Sequence, residues 1–170
     1  MFEQDFTDAI ALLKADHRKV EQLFAAFGEA KGASRKEKLA REICTELKVH
    51  MMIEEEIFYP AFEGKIEQGL IDEALVEHDG AKVLVNDIEA AEPAEDYYDA
   101  KVKVLCEEIE HHVKEEEKPA RGVFARCRGT DVDLVDLRDR MLARKEELTA
   151  QAEGAGLPPA KVMTVALTPA

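Results

Sequence analysis

At 170 residues, with 46% hydrophobic and 35% charged residues, 9 Gly, 6 Pro and no Trp, the chain can bury one core without disulfide staples and has the composition of amphipathic helices, not of a disordered segment. A formal net charge of -14 argues against nucleic-acid backbones and anionic membrane surfaces as partners, because both require a basic face. The expected fold class is all-α.

No run approaches the ~20 apolar residues of a membrane span. Met1 to Asp5 is acidic and lacks an apolar signal core, so the cytoplasm is the expected location. Cys44, Cys106 and Cys127 are odd in number and far apart, which offers neither a disulfide framework nor a zinc-type pair; small buried or half-buried thiols are expected.

The first predicted helix starts at Thr7 or Asp8, either of which can cap, and runs to Gly28 or Glu29. Its apolar stripe, Ile10, Leu13, Val20, Phe24 and Phe27, is broken only by His17. Ser34 to Glu37 reads as a capping box that opens a second helix ending around Pro60 to Gly64. The stripe of that helix is Leu39, Ile43, Leu47, His50, Glu54, Ile57 and Ala61, so its polar members, His50 and Glu54, lie one turn apart on the core face.

A third helix follows Gly69 with Ile71, Leu75, His78, Ala81, Val85 and Ile88 in phase, and it stops before Pro93. A fourth, from about Ala94 to Pro119, carries Tyr98, Val102, Leu105, Ile109, His112 and Glu116. His111 and Glu115 share the spacing but continue the more polar line of Val104 and Glu108, so His112 and Glu116 are the inward pair. A fifth helix, from about Asp131 to Gln151, packs along the bundle or on a second subunit. The tail after Gly154 is extended or mobile. The resulting division is residues 7–128 as an up-down-up-down antiparallel four-helix bundle, 129–152 as a C-terminal helix and 153–170 as a tail.

Short connections make successive helices antiparallel, and at ~1.5 Å per residue all four core histidines land near one end of the bundle, within ~10 to 15 Å along the axis. Asp16-His17 precedes His50-x-x-x-Glu54 much as Glu77-His78 precedes His112-x-x-x-Glu116. The chain therefore reads as two related helical hairpins that wrap a site of two-fold character. Imidazoles and carboxylates inside a core are too costly to bury unless they bond something. This donor set suits iron or another first-row transition metal, and it is too large for one tetrahedral zinc.

These residues carry a resemblance. Asp16-His17, the run His50-Met-Met-Ile-Glu54-Glu-Glu-Ile-Phe-Tyr-Pro60, Glu77-His78 and His111-His112-Val-Lys-Glu-Glu116 are similar to the motifs of the hemerythrin-like, HHE cation-binding family of di-iron bundles, over roughly Asp8 to Arg128. The resemblance implies two non-haem iron ions, with Glu54 and Glu116 as bridges, an oxo or hydroxo bridge, and His17, His50, His78 and His112 as terminal ligands. It also implies a small ligand such as oxygen, nitric oxide or peroxide. The oxygen carriers of that family have a histidine pair one turn apart on the third helix, where this chain has Ala74 and Lys82 around His78. About ten of roughly twelve iron positions would be filled. The more open site favours redox, sensing or small-oxidant chemistry over reversible carriage. Glu77, Glu55 and His111 are candidates for a further ligand, and spacing selects none of them. A non-catalytic iron or oxygen sensor is the main rival. A ferritin-like store would need Glu-x-x-His motifs that are absent, and no nucleophile or nucleotide motif is present.

Overall fold

The computed structural model describes residues 6–166, so the acidic start at Met1 to Asp5 and the last four residues of the tail lie outside the described residues. Helix α1 spans Ala9–Glu29, and α2 spans Ala33–Ile53, continuing through a π turn at Glu54–Phe58 into α3, Tyr59–Phe62. Then come α4, Gln68–Ala90, α5, Tyr98–Glu116, α6, Val123–Arg128, and α7, Leu134–Glu153. No strand occurs among the described residues. Helices α1, α2, α4 and α5 form the expected four-helix bundle, each packed on two others, and α7 lies across α1 and α2.

Helix α1 starts where a capping side chain predicts: Asp8 accepts from the Ala11 amide at 2.9 Å and also meets Arg128 at 2.8 Å. The capping box at Ser34 does not form. Gly32, with φ 87, is the N-cap of α2, and Glu37 turns outward to Arg41 at 2.7 Å, because the left-handed glycine already reverses the chain before Ser34 is reached. Helix α5 begins at Tyr98, four residues later than expected, since the chain after Pro93 makes turns that end in a left-handed Tyr97, φ 69.

Two apolar clusters fill the interior. One holds Ile10, Leu13, Ile53, Phe58, Phe62 and Phe124, and the other holds Val20, Phe24, Leu47, Val85, Leu105 and Ile109. Between Leu13 of the first and Val20 of the second, α1 presents His17, so the polar residues form a layer sandwiched between two dry layers. The short helix α6 is enabled by Gly122, where a Cβ would lie 2.5 Å from the Glu116 carbonyl oxygen and 2.7 Å from that of Glu115. This close approach folds α6 back under the end of α5 and sets Phe124 against His17, with ring centroids 5.7 Å apart and nearly parallel.

Helix α7 is capped by Asp133, which accepts from the Val135 and Asp136 amides, and it buries Leu137, Met141 and Leu148 against the bundle. The tail from Leu157 to Val165 runs extended, with its backbone tied to α2 and α4. Lys48 donates to the Leu157 carbonyl, Lys82 donates to that of Lys161, and Asn86 binds both the carbonyl and the amide of Ala160. Asp79, fully buried, accepts from the amides of Met163, Thr164 and Val165 and from the Thr164 hydroxyl. No helix among the described residues is long and apolar enough to cross a membrane.

Candidate metal centre

All six residues singled out as ligands, His17, His50, Glu54, His78, His112 and Glu116, are buried and converge in the polar layer. One cluster joins His17, His50, Glu54 and Glu116, and a second joins Glu54, His78 and His112, with the ligating atoms of each within 4.8 Å of one another. His17 and His50 face each other with Nε2 atoms 3.2 Å apart, and His78 and His112 do the same at 3.2 Å. The Glu54 Oε2 atom lies between the pairs, 3.3 Å from His50 Nε2 and 3.2 Å from His78 Nε2. The Glu116 Oε2 atom is its counterpart, 3.4 Å from His17 Nε2 and 3.5 Å from His112 Nε2. Each carboxylate thus touches one imidazole of each pair, which is the two-fold arrangement implied by the hairpin repeat.

The tautomers follow from the other ring nitrogen. Glu117 lies 2.7 Å from His17 Nδ1, Glu55 lies 2.9 Å from His78 Nδ1, Glu77 lies 2.7 Å from His112 Nδ1, and Asp16 lies 3.5 Å from His50 Nδ1. At His17, His78 and His112 the carboxylate holds the proton at Nδ1 and leaves the Nε2 lone pair pointing inward, whereas at 3.5 Å Asp16 and His50 Nδ1 lie too far apart for a hydrogen bond. Two such lone pairs aimed at each other, beside a carboxylate oxygen, repel unless a cation or a proton stands among them. Four buried side-chain atoms here have no hydrogen-bond partner: Glu54 Oε1 and Glu116 Oε2 in the carboxylate pair, and His50 Nδ1 and Asp16 Oδ2 behind it.

The electrostatics show the same demand for positive charge. Burial by itself lowers the His50 pKa, but the Glu54 and Asp16 carboxylates lift it to about 10. Burial likewise lowers that of His78, and Glu54 and Glu55 lift it to about 9. His17 is raised in the same way, against burial, by Glu116 and Glu117. Burial alone would raise the Glu54 pKa, yet His50 and His78 hold it well below the usual carboxylate range. A metal cation supplies the charge these carboxylates call for, and the donor set of imidazole and carboxylate fits one.

The remaining candidates sit outside the cluster. Glu55 and Glu77 stand behind His78 and His112, while His111 is 62% exposed and lies 3.3 Å from the outer oxygen of Glu77. Sequence reasoning missed Tyr59. The π turn bonds the Tyr59 amide to the Glu54 carbonyl, and the buried phenol donates to Glu116 Oε1 at 2.7 Å and lies 3.4 Å from Glu54 Oε2. Its pKa is well above the ordinary value because of burial and the two glutamate charges, so it holds its proton. Lys145 of α7, paired with Asp16 Oδ1, was also missed. On the face away from Tyr59, a cavity of about 10 Å³, the space of one water-sized guest, is lined by Val20, Leu47, Met51, Ile109 and Val113 together with Asp16 and the four histidines.

Residues 8–120 match the model of a family described as the hemerythrin HHE cation binding domain. The chain is 25% identical over 152 residues to a curated DNA nickase of Nostoc sp. (strain PCC 7120), an alignment that covers 86% of this chain and 42% of that protein. The chain therefore spans less than half the length of that relative. The fold is similar to the crystal structure of a hemerythrin HHE cation binding domain-containing protein from Mycobacterium kansasii, with a TM-score of 0.71 and 23% identity, covering 88% of this chain and 94% of that one.

Proposed function

Because the chain belongs to the hemerythrin HHE cation-binding family, we propose that it is a non-haem di-iron protein that binds and reduces a small uncharged ligand, either oxygen, nitric oxide or peroxide. The observation that carries this reading is the pair of inward-facing Nε2 couples, each 3.2 Å apart, with a buried carboxylate shared between them on either side. In this reading His17 and His50 would hold one ion and His78 and His112 the other, with Glu54 and Glu116 shared between them. The iron pair, when bound, supplies the one-electron redox couples.

The chain's own residues divide the remaining work. Glu117, Glu55 and Glu77 fix three of the imidazoles, the cavity of about 10 Å³ beside the histidines has room for one water-sized guest, and Val20, Leu47, Met51, Ile109 and Val113 close it from bulk water. Tyr59 keeps its proton and donates a hydrogen bond to Glu116 at 2.7 Å, which holds that carboxylate in place. Ala74 and Lys82 also leave α4 with a single histidine at the site, since Lys82 is engaged with Glu55, Asp79 and the tail.

We place the protein in the cytoplasm, in keeping with its three free thiols. The net charge of -14 disfavours a nucleic-acid partner, so the nicking activity named for the Nostoc relative is not carried over. A signalling role draws on one feature, Asp79, which follows His78 directly and clamps the tail.

The test is metal content and optical spectrum after expression in iron-rich medium, followed by anaerobic reduction and mixing with oxygen or peroxide. About two irons per chain, and oxidation without a stable oxygen adduct, are expected. A single zinc per chain would reject the di-iron site. An adduct that releases oxygen on lowering its pressure would return reversible carriage to first place.

A further inference from the structure

A second cavity, of about 280 Å³, lies between α2, α4 and the extended tail. Its inner wall is Met51, Met52, Glu55 and Lys82, and its outer wall is the tail from Pro158 to Met163. Met51 lines both this chamber and the 10 Å³ cavity against the histidines. One unbranched thioether side chain, itself 2% exposed, is therefore common to the walls of the chamber and of the metal layer.

We infer that this chamber is the entrance to the metal centre, that Met51 is its gate, and that it passes small uncharged molecules while giving anions no foothold. The inference rests on the function proposed above for the inner cavity. The gate follows from side-chain chemistry: Met has three flexible torsions and no branch, so it can swing aside without displacing backbone. The outer wall is held by side chains that act on tail backbone and, outside the chamber lining, on the Thr164 hydroxyl. Lys48, Lys82, Asn86 and Asp79 bind carbonyls and amides between Leu157 and Val165 and leave the side chains of that segment free to line the cavity.

The selectivity follows from charge pairing. Lys48 is matched by Glu89 at 2.8 Å, Lys82 by Glu55 at 2.8 Å and Asp79 at 3.2 Å, and Glu56 by Arg144 at 2.7 Å. Among the described residues lining the chamber, only the exposed Lys161 at the mouth lacks an acidic partner. An anion entering past it would lose its hydration without gaining a free cation inside. Oxygen and nitric oxide have no such cost, and hydrogen peroxide, polar but neutral, has a smaller one than an anion.

Two measurements test the gate on the full chain. In crystals of the metal-free protein under xenon pressure, the gas should occupy the chamber, and in Met51→Ala it should extend into the inner cavity. In the reduced, iron-loaded protein, stopped-flow association of nitric oxide should be about tenfold faster in Met51→Ala and about threefold slower in Met51→Leu, whose branched side chain is stiffer but similar in volume. Met52→Ala, which enlarges the chamber without touching the gate, should stay within about twofold of the unmodified rate.

Unchanged association in both Met51 variants would overturn the proposal. So would an acceleration by Met52→Ala equal to that of Met51→Ala, since that would mean general loosening. If the protein takes up no iron, the di-iron reading fails by itself, and xenon then decides the connection between the cavities. Xenon absent from the chamber, or confined to it in Met51→Ala, would reject the entrance.

Discussion

Removing Glu77 should weaken metal binding although Glu77 does not reach the metal layer. Its Oε2 holds the Nδ1 proton of His112 at 2.7 Å, and its Oε1 lies 3.3 Å from the exposed His111. Burial alone would raise its pKa, but the hydrogen bond and charge of His112 hold it below the ordinary range, so it is ionised and an effective acceptor. Loss of such an outer partner costs 10- to 100-fold in metal affinity, or ~1.4 to 2.7 kcal/mol. Glu77 is 20% exposed, and solvent screening puts its share at the low end, about tenfold.

Competition with a calibrated chelator for ferrous iron should therefore show about tenfold weaker binding in Glu77→Ala and about threefold in Glu77→Gln, which keeps an acceptor without the charge. Glu107→Gln, on the same end of the bundle but 62% exposed, controls for net charge and should bind as the unmodified protein does. Equal affinity in Glu77→Ala and the unmodified chain would refute the orienting role. An equal loss in Glu107→Gln would reduce the effect to bulk charge.

Three further outcomes are expected. His112→Ala should lose iron by elemental analysis while His111→Ala retains it, and the reverse pattern would mean that the working face of α5 is the exposed one. Tyr59→Phe removes the donor to Glu116 Oε1 in a fully buried setting. It should destabilise the metal-free protein by ~1 to 3 kcal/mol in urea, and an unchanged midpoint would show that water replaces the phenol there. Asp79→Ala should release the tail, seen as at least tenfold faster hydrogen exchange at the Met163, Thr164 and Val165 amides with α4 unaffected; unchanged exchange would mean that the tail is held by its other contacts.

The legible part of the site is the part that helical periodicity encodes. His17, His50, His78 and His112 interrupt apolar stripes at the 3.6-residue period, a local property that needs no tertiary information, and burial of those stripes turns all four inward. His111 and His112 were separable for the same reason, since only one continues Leu105 and Ile109. What escaped depends on neighbours that are distant in sequence. Glu77 and Glu55 stood out beside the histidine motifs as candidate ligands, but that they back His112 and His78, 35 and 23 residues away, is a tertiary fact. Glu117, behind His17 at a separation of 100 residues, has nothing local to mark it among 37 acidic residues. The tail has no periodicity because its partners satisfy its backbone from outside, and Gly122 acts through a close approach that only the folded end of α5 creates.

The π turn explains why Tyr59 could not be read from helical phase and why the site has two unlike faces. In a continuous α-helix, a residue five positions after Glu54 points ~140° away from it, at 100° per residue. With the Tyr59 amide bonded to the Glu54 carbonyl, five residues make one turn, and Tyr59 comes to lie above Glu54. The phenol then fills the side of the carboxylates that faces Phe58, Phe62 and α6, and the opposite side is left to the small cavity under Met51. A hydrogen-bond donor therefore stands on one face of the site and a small cavity on the other, with both carboxylates between them. The phenol keeps its proton and braces Glu116 and Glu54 from its own side, so the space beside the four histidines is the face from which a guest can approach.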